Sequence, residues 1–573
     1  MYKLSPKYIL HQNLKYKRCS LSCSSDILLG KKKNQNVRFS STKIVRSPFE
    51  NIVIPKENFV QHVWKNTDKW DDVTVSTCAI SGRNYTYGLA KHAIHNLAQA
   101  LIARCKLEPG DVVSLVLPNI PEYLIITHGI ASAGLILTFA NPLYKEDELK
   151  RQFINANVKS IVTISLFLET VLKLASQLPG YKTTICVGGE DDTIKNVHSL
   201  QNLIFENHKT DLPEISPKSI ALLPYSSGTT GLPKGVMLSH ENLVANLAQT
   251  NRPELCALRP EETNKKALTV LPYFHIYGFN SIMNNCANIG ITLVSLPKFT
   301  PEDYIRALLE HRPYFIFAVP SLLLFLASNP SVTKNHLASI EIITSGAAPA
   351  TEGLLQRFRE KVGREIVITQ GYGMTETSPV TLFTPRPVPK SKQEAVGVLL
   401  PNTEGKVVSL IDGTDCGPHT PGEFLVRGPQ VMVGYLNNQT ANDEIFTKDG
   451  WMRTGDVVYY DEDGYFYIID RVKELIKVKG NQVSPTELEN LILEIPDIAD
   501  VAIVGIPDTL CGEIPRAFVV RKKDGKVTAD DILSYVHPKV ASYKQIAGGI
   551  KFIESIPRNP SGKVIRNELK IVR

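Results

Sequence analysis

The sequence predicts an α/β protein: a large N-terminal domain of α/β subdomains plus a small β subdomain, followed by a smaller α+β C-terminal domain. Between about residues 111 and 370, short β-branched runs alternate with polar or Gly/Pro turns and helical stretches. The runs are continuously apolar, as parallel strands covered on both faces must be. Past about residue 396 the helical stretches stop, and short strand-like segments lie between Gly, Pro and Asp turns, which is the pattern of antiparallel β-structure. From residue 471, charged helical stretches mix with new apolar runs over 103 residues, enough for a separate domain.

The strand-like runs of the first region are 112–116, 160–165, 183–187, 220–223, 267–271, 292–296, 314–319, 341–344 and 365–369. Those of the β subdomain include 404–411 and 422–427, and the C-terminal region contributes 501–506. The apolar stretch 123–140 contains His128 and is interrupted by Gly129 and Gly134. Spanning a bilayer takes ~20 predominantly apolar residues, so it reads as a buried helix. The expected divisions are a basic extension over 1–47, a large domain over 48–470 and a smaller domain over 471–573.

Of the 573 residues 43% are apolar and 21% charged, which excludes disordered, collagen-like and disulfide-scaffold classes. Nine scattered cysteines without a C-x-x-C pair support neither a zinc site nor a disulfide framework, and point to a reducing compartment. The net charge of +7 is concentrated at one end. Residues 1–49 hold eight Lys and three Arg against one acid, Asp26, whereas the other 524 residues carry 53 basic and 56 acidic groups. The folded body is therefore not a nucleic-acid binder on charge grounds. The basic start, with eight serines and no long apolar run, has the composition of a mitochondrial transit peptide.

The sharpest motif is Tyr225-Ser226-Ser227-Gly228-Thr229-Thr230-Gly231-Leu232-Pro233-Lys234-Gly235, directly after the run 220–223. Small hydroxyl residues and glycines after a strand let backbone N–H groups and hydroxyls wrap a polyphosphate, and a lysine adds charge. It is not a Walker A loop, because Lys234 follows Pro233 where G-K-[ST] needs glycine. His240-Glu241-Asn242-Leu243-Val244 begins like H-E-x-x-H but ends in valine, so the zinc-protease reading fails.

With four further motifs in order, the chain resembles the acyl-adenylate-forming enzymes: acyl-CoA synthetases, beetle luciferases and adenylation domains of peptide synthetases. The resemblance runs from about 85 to 569. It rests also on Gln370-Gly371-Tyr372-Gly373-Met374-Thr375-Glu376, on Trp451-Met452-Arg453-Thr454-Gly455-Asp456, on Asp470 through Gly480, and on Pro557-Arg558-Asn559-Pro560-Ser561-Gly562-Lys563. Leu271-Pro272-Tyr273-Phe274-His275-Ile276-Tyr277 and Ser345-Gly346-Ala347-Ala348-Pro349 are most similar to 4-coumarate:CoA ligases.

The resemblance implies ATP, Mg²⁺ and coenzyme A. Ser226, Ser227, Gly228, Thr229, Thr230, Gly231 and Lys234 would grip the β- and γ-phosphates, Thr375 the α-phosphate and Glu376 the magnesium. Tyr372 and Gly373 would border adenine, and Asp456 and Arg471 would hold the ribose hydroxyls. Lys563 would bridge carboxylate and α-phosphate, although a solvated lysine is the commoner fate of that residue type. Lys473 would be a hinge that makes the C-terminal domain mobile, and Lys477, Gly480 and Gln482 would serve the second, thioester-forming arrangement. His275 replaces the aspartate by which amino-acid-activating relatives hold an ammonium group, so amino acids are disfavoured. Tyr277, Gly346, Ala347, Pro379 and Val380 would line an apolar slot for an aryl or medium-chain acid. Glu352 departs from the lysine that many plant ligases carry after the Ser-Gly-Ala-Ala-Pro run.

The implied function is an AMP-forming acid:CoA ligase acting on a small carboxylic acid. A luciferase-like or carrier-charging enzyme shares the chemistry, and a catalytically silent nucleotide-binding scaffold is the reading from another class. Neither nucleic acid nor a transmembrane segment enters any of these. The chain ends Lys570-Ile571-Val572-Arg573, without the S-K-L peroxisomal address, so mitochondria are expected. Removal of residues 1–45 is expected to move the protein to the cytosol with activity intact, as read by cell fractionation; an unchanged location contradicts the targeting reading.

Overall fold

A computed structural model describes residues 43–226, 233–256, 264–479, 481–559 and 562–571. Among them, two nine-stranded mixed sheets, a five-stranded antiparallel sheet and a separate five-stranded C-terminal sheet make up the fold.

In the first nine-stranded sheet, Ile220–Leu223, Ile136–Phe139, Val112–Val116, Val158–Ile164, Thr183–Val187 and Val197–Ser199 run parallel in that spatial order. Lys234–Ser239 then pairs antiparallel with Ile220–Leu223 and with Tyr225–Ser226, so that Ser226 lies opposite Lys234. These two residues flank the glycine-rich stretch, whose residues 227–232 lie outside the described ones.

The second nine-stranded sheet has Val367–Gly373, Ile342–Ser345, Phe315–Ala318, Lys266–Thr269, Thr292–Ser295 and Thr74–Cys78 in parallel. Its strand Val367–Gly373 leaves the parallel ladder after Gln370 and turns into an antiparallel pair with Val380–Phe383. The turn between them carries Thr375 and Glu376, at the carboxyl end of the parallel strands where open α/β sheets bind ligands.

The stretch 123–140 is not one helix. Helix Glu122–Ser132 stops at a turn where Gly134 has φ +73°, and Ile136–Phe139 is a strand buried on both faces. Periodicity cannot separate a doubly covered strand from a buried helix, so the two elements read as one apolar run. Gly129 sits where the helix crosses Tyr87–Ala103: a Cβ there would lie 2.7 Å from Leu97 Cδ2. Among the described residues no helix is long and apolar enough to cross a membrane.

The β subdomain is antiparallel throughout, in the order Val45–Arg46, Glu404–Val408, Gly422–Arg427, Met452–Tyr460 and Phe466–Arg471. It also holds a short helix, Gln439–Ile445, N-capped by Asn438; helices therefore do not stop altogether after 396. Residues 43–47 differ from a free extension. Val45 is buried opposite Gly405, Arg46 pairs with Glu404 at 2.9 Å and Lys43 Nζ donates to Asp415 O at 2.8 Å. A targeting deletion that spares this strand therefore ends at residue 42.

The chain passes from Phe466–Arg471 into the C-terminal sheet, built from Asn481–Val483, Ile476–Val478, Gly512–Arg521 and Ile498–Asp508 with Ile550–Phe552 on the edge. Alternation along Ile498–Asp508 serves two cores. Val501 and Ile503 pack with Leu488, Ile492 and Ile532, while Ala502 and Val504 pack with Phe518, Ile556 and Leu569. None of the seven described cysteines is disulfide-bonded.

Candidate active site

A cavity of about 1380 Å³ lies where the two large sheets, the β subdomain and the C-terminal domain meet. Pockets for small ligands occupy about 300–1,000 Å³, so this one has room for more than one reactant. Ser226, Lys234, His275, Tyr277, Gly346, Ala347, Tyr372, Gly373, Thr375, Glu376, Pro379, Val380, Asp456, Arg471, Lys473 and Lys563 all line it.

Asp456 is the polar centre. It stands directly across the antiparallel ladder from Arg471, whose Nε reaches its Oδ1 at 3.0 Å, and Tyr372 Oη donates to its Oδ2 at 2.5 Å. Burial and Asp456 hold the Tyr372 phenol well above its ordinary range, so Tyr372 is a fixed donor. The same carboxylate raises the Arg471 guanidinium.

The turn after Tyr372 is shaped by close backbone contact. A Cβ on Gly373 would lie 1.8 Å from Pro379 O, so only glycine fits there. Met374 N donates to Pro379 O at 3.0 Å and Thr377 Oγ1 to the same oxygen at 2.5 Å. Asn246 braces the turn from helix His240–Thr250, its amide spanning the N–H and C=O of Val380 at 3.1 and 2.8 Å. Glu376 is buried with Tyr435 Oη donating to its Oε1 at 2.9 Å. The Tyr435 ring also carries Lys234, whose Nζ is 4.9 Å from its centroid. Tyr435 belongs to no motif the sequence displays, yet it joins the residue at the end of the glycine-rich stretch to the acidic one.

His275 begins the turn into a π-helical segment, Tyr277–Asn284, an irregularity common at functional sites. Its Nδ1 accepts from Tyr277 N at 3.2 Å, so the neutral ring carries its proton on Nε2. Burial, and secondarily the charge of Lys563, push its pKa down to about 4. The Tyr277 hydroxyl donates to Thr344 O at 3.2 Å, and its ring closes over Gly346, where a Cβ would stand 3.3 Å away. The cavity wall is not wholly apolar: Ser281 and Asn285, four positions apart in the chain, also line it.

Lys563 reaches the cavity from the C-terminal domain. Asn559 Oδ1 accepts from its backbone N at 2.9 Å, and Arg558 braces the turn by pairing with both oxygens of Asp500. Burial and Arg471 lower the Lys563 ammonium, opposed by Asp456, Glu376 and Glu474. Where the domains join, Asp470 accepts from Ser484 Oγ at 2.6 Å and from Thr486 N at 3.1 Å, and Arg566 pairs with Glu474 at 2.9 Å and also with Glu489.

Three further sets of residues singled out in the sequence are not among the described residues that line the cavity. Lys477 and Gln482 lie opposite each other on an exposed hairpin and do not line the cavity. Ser227, Gly228, Thr229, Thr230, Gly231 and Gly480 lie outside the described residues. Glu352 pairs with Arg359 at 3.2 Å along helix Glu352–Val362, off the cavity wall. Among the described residues no cluster of three or more His, Cys, Asp or Glu could hold a metal on protein ligands alone.

Three buried histidines, His128, His240 and His275, have pKa values pushed down to about 4 by burial. Each takes up a proton on unfolding between about pH 4 and the ordinary 6.5. Their contribution to stability is complete above about 6.5 and lost as pH falls towards 4. Denaturant midpoints are therefore expected to rise from pH 4.5 to 6.5 with net proton uptake on unfolding; midpoints flat or falling over that interval contradict the burial of these rings.

The AMP-binding enzyme family model matches residues 63–436, and its C-terminal domain model matches 487–563. The chain is 36% identical over 538 residues to a probable 4-coumarate–CoA ligase 1 of Dictyostelium discoideum, covering 91% of this chain and 97% of that protein. It is 36% identical over 544 residues to 4-coumarate–CoA ligase 3 of Arabidopsis thaliana, covering 92% and 94%. Among solved structures it is similar to ATP-bound MatB from Rhodopseudomonas palustris, with TM-score 0.80, 25% identity and 90% and 98% of the two chains covered. It is also similar to the o-succinylbenzoate CoA synthetase MenE from Bacillus subtilis in complex with the acyl-adenylate intermediate OSB-AMP, with TM-score 0.75, 28% identity and coverage of 90% and 99%. With both family models matched in order and relatives aligned over nine-tenths of its length, this chain belongs to the AMP-binding enzymes.

Proposed function

We propose that this protein is an ATP-dependent acid:CoA ligase: a carboxylic acid is joined to AMP with release of pyrophosphate, and the acyl group then passes to the thiol of coenzyme A. The observation that carries the reading is the meeting of Asp456, Arg471, Tyr372, Glu376 and Lys563 around one cavity. An ionised acid needs no general base to attack phosphorus. What it needs is cationic and hydrogen-bonding help for the charge gathering on the α-phosphate as pyrophosphate leaves.

Asp456 and Arg471 receive the ribose. Two of the carboxylate's roughly four lone-pair sites are taken by Tyr372 and Arg471, which leaves capacity for two sugar hydroxyls. Tyr372 and Gly373 border the base. Ser226 and Lys234, with the stretch between them, take the β- and γ-phosphates, and Thr375 takes the α-phosphate. Lys563 bridges the acid and the α-phosphate, and the neutral His275, with its proton on Nε2, offers a donor at the cavity wall.

Glu376 suits magnesium. That ion is commonly held by one or two carboxylates together with substrate phosphates and water, and Glu376 is a buried carboxylate that, among the described residues, accepts a side-chain hydrogen bond from the Tyr435 hydroxyl alone. When bound, the ion supplies charge neutralisation to the phosphates.

The acid is aryl or medium-chain. Relatives named for 4-coumarate favour a planar ring, and the largely apolar stretch of cavity wall at Tyr277, Gly346, Ala347, Pro379 and Val380 supports either an aromatic or a medium-chain acid. The C-terminal domain presents two faces in turn about Lys473, Lys563 for the first step and Lys477, Gly480 and Gln482 for the second; the exposure of the latter hairpin while Lys563 borders the cavity supports this. The basic composition of residues 1–49 supports a mitochondrial location.

The test takes purified protein, MgATP and a panel of aromatic and aliphatic acids, with pyrophosphate release measured with and without coenzyme A. The wild type is expected to release pyrophosphate with an acid of these classes. Lys563→Ala is expected to lower acyl-AMP formation by a factor of about 100 or more, the scale on which loss of one transition-state contact acts, yet to convert supplied acyl-AMP and coenzyme A to thioester. Equal loss of both half-reactions contradicts the alternating arrangement, and no pyrophosphate release from any acid contradicts the function.

A further inference from the structure

A line of buried hydrogen bonds runs from Trp64 to the turn that carries Thr375 and Glu376. Trp64 Nε1 donates to His128 Nδ1 at 2.5 Å, His128 Nε2 meets Asn284 Oδ1 at 3.0 Å, Asn284 Nδ2 donates to Asn280 Oδ1 at 3.1 Å, and Asn280 Nδ2 donates to Ser378 O at 2.7 Å. Trp64 is 9% exposed and the other four residues 1% or less. None of these side chains belongs to a sequence motif or lines the cavity.

The direction of the line is forced from its first member. An indole N–H can only donate, so His128 Nδ1 must accept and the ring proton sits on Nε2. His128 therefore donates to the oxygen of Asn284. That fixes the Asn284 amide with its nitrogen towards Asn280, and hence the nitrogen of Asn280 towards the Ser378 carbonyl. Burial keeps His128 neutral, its pKa pushed down to about 4, and Phe59 packs edge-on against it at 5.3 Å, so the ring cannot turn to solvent.

The far end matters because Ser378 has φ +70°, a left-handed conformation that is unfavourable for a non-glycine residue and persists only where the surroundings impose it. Ser378 closes the turn Thr375–Thr377, its N–H bonding to Thr375 O at 3.4 Å. The Asn280 amide on its carbonyl, with Ser378 Oγ donating to Gln430 O at 2.9 Å, holds that conformation. If Asn280 were reversed, its oxygen would face the Ser378 oxygen. Its other bond, to Leu243 O, is longer at 3.3 Å.

We propose that Trp64, His128, Asn284 and Asn280 form a directional relay of positioning residues, which sets the turn bearing Thr375 and Glu376 for the triphosphate and its magnesium. The proposal rests on the nucleotide-binding role given above to that turn. It differs from mere filling of the core in requiring polarity, an acceptor towards Trp64 and a donor towards Asn284, at position 128.

The test is calorimetric titration of the full-length protein with MgATP, alongside thermal melting, for the wild type, His128→Leu, His128→Gln and Asn280→Ala. A glutamine amide retains both an acceptor and a donor; leucine retains neither. All three variants are expected to melt lower. His128→Leu and Asn280→Ala are expected to bind MgATP about tenfold more weakly, the scale of one hydrogen bond, and His128→Gln within about twofold of wild type. Wild-type affinity in either of the first two, or His128→Gln as weak as His128→Leu, overturns the relay. Should His128→Leu fail to fold, Asn280→Ala takes its place in the comparison with His128→Gln: equal affinities for these two overturn the relay, and a tenfold gap supports it. A wild type that binds no MgATP refutes instead the function on which the relay depends.

Discussion

The Asp456 carboxylate, held between the Arg471 guanidinium and the Tyr372 hydroxyl, ties the second large sheet to the β subdomain at the strand that leads into the C-terminal domain. Tyr372 ends a strand of a parallel sheet, Asp456 lies within the antiparallel β subdomain, and Arg471 is the last residue of the strand that leads into the C-terminal domain. A buried carboxylate is costly unless its oxygens are satisfied, so the second large sheet and the β subdomain must keep register for this group to be tolerated. The same group sets the local charge, raising Arg471 and Tyr372 and opposing the depression of Lys563.

Around that centre the molecule positions charge with neutral amides. Asn246 and Asn280 hold the backbone of the turn after Gly373, and Asn242 ties its helix to the neighbouring loop by donating to Pro429 O and Val431 O. Amides suit this task because they present a donor and an acceptor without the desolvation cost of an ion. The reacting groups can then carry the charge, on a frame whose geometry does not vary with pH across the physiological range.

The sequence displayed whatever is contiguous. The glycine-rich stretch, the Thr375-Glu376 turn, Asp456, Arg471 and Lys563 could be read because residue types and order within each short segment are unusual, and the described members converge on one cavity. The α/β class was visible in the continuous apolar runs. What escaped depends on partners far apart in the chain. Val45 joins a strand some 360 positions on, Tyr435 meets Glu376 across 59, and the bonds of Asn280 and Asn246 end on backbone carbonyls, which every residue offers. The helix and strand within 123–140 merged for a different reason: both are covered on all sides, and the break between them is one glycine turn.

Everything else depends on a carboxylate attacking the innermost phosphorus of ATP bound in this cavity. Isotope transfer tests it most directly: an acid accepted by the enzyme is labelled with ¹⁸O in both carboxylate oxygens, turned over with MgATP and coenzyme A, and the released AMP is weighed by mass spectrometry. Attack at that phosphorus leaves one labelled oxygen in the AMP phosphate, because thiolysis of an acyl-AMP keeps the bridging oxygen on phosphorus. Unlabelled AMP, or label in inorganic phosphate with ADP as the nucleotide product, would contradict it.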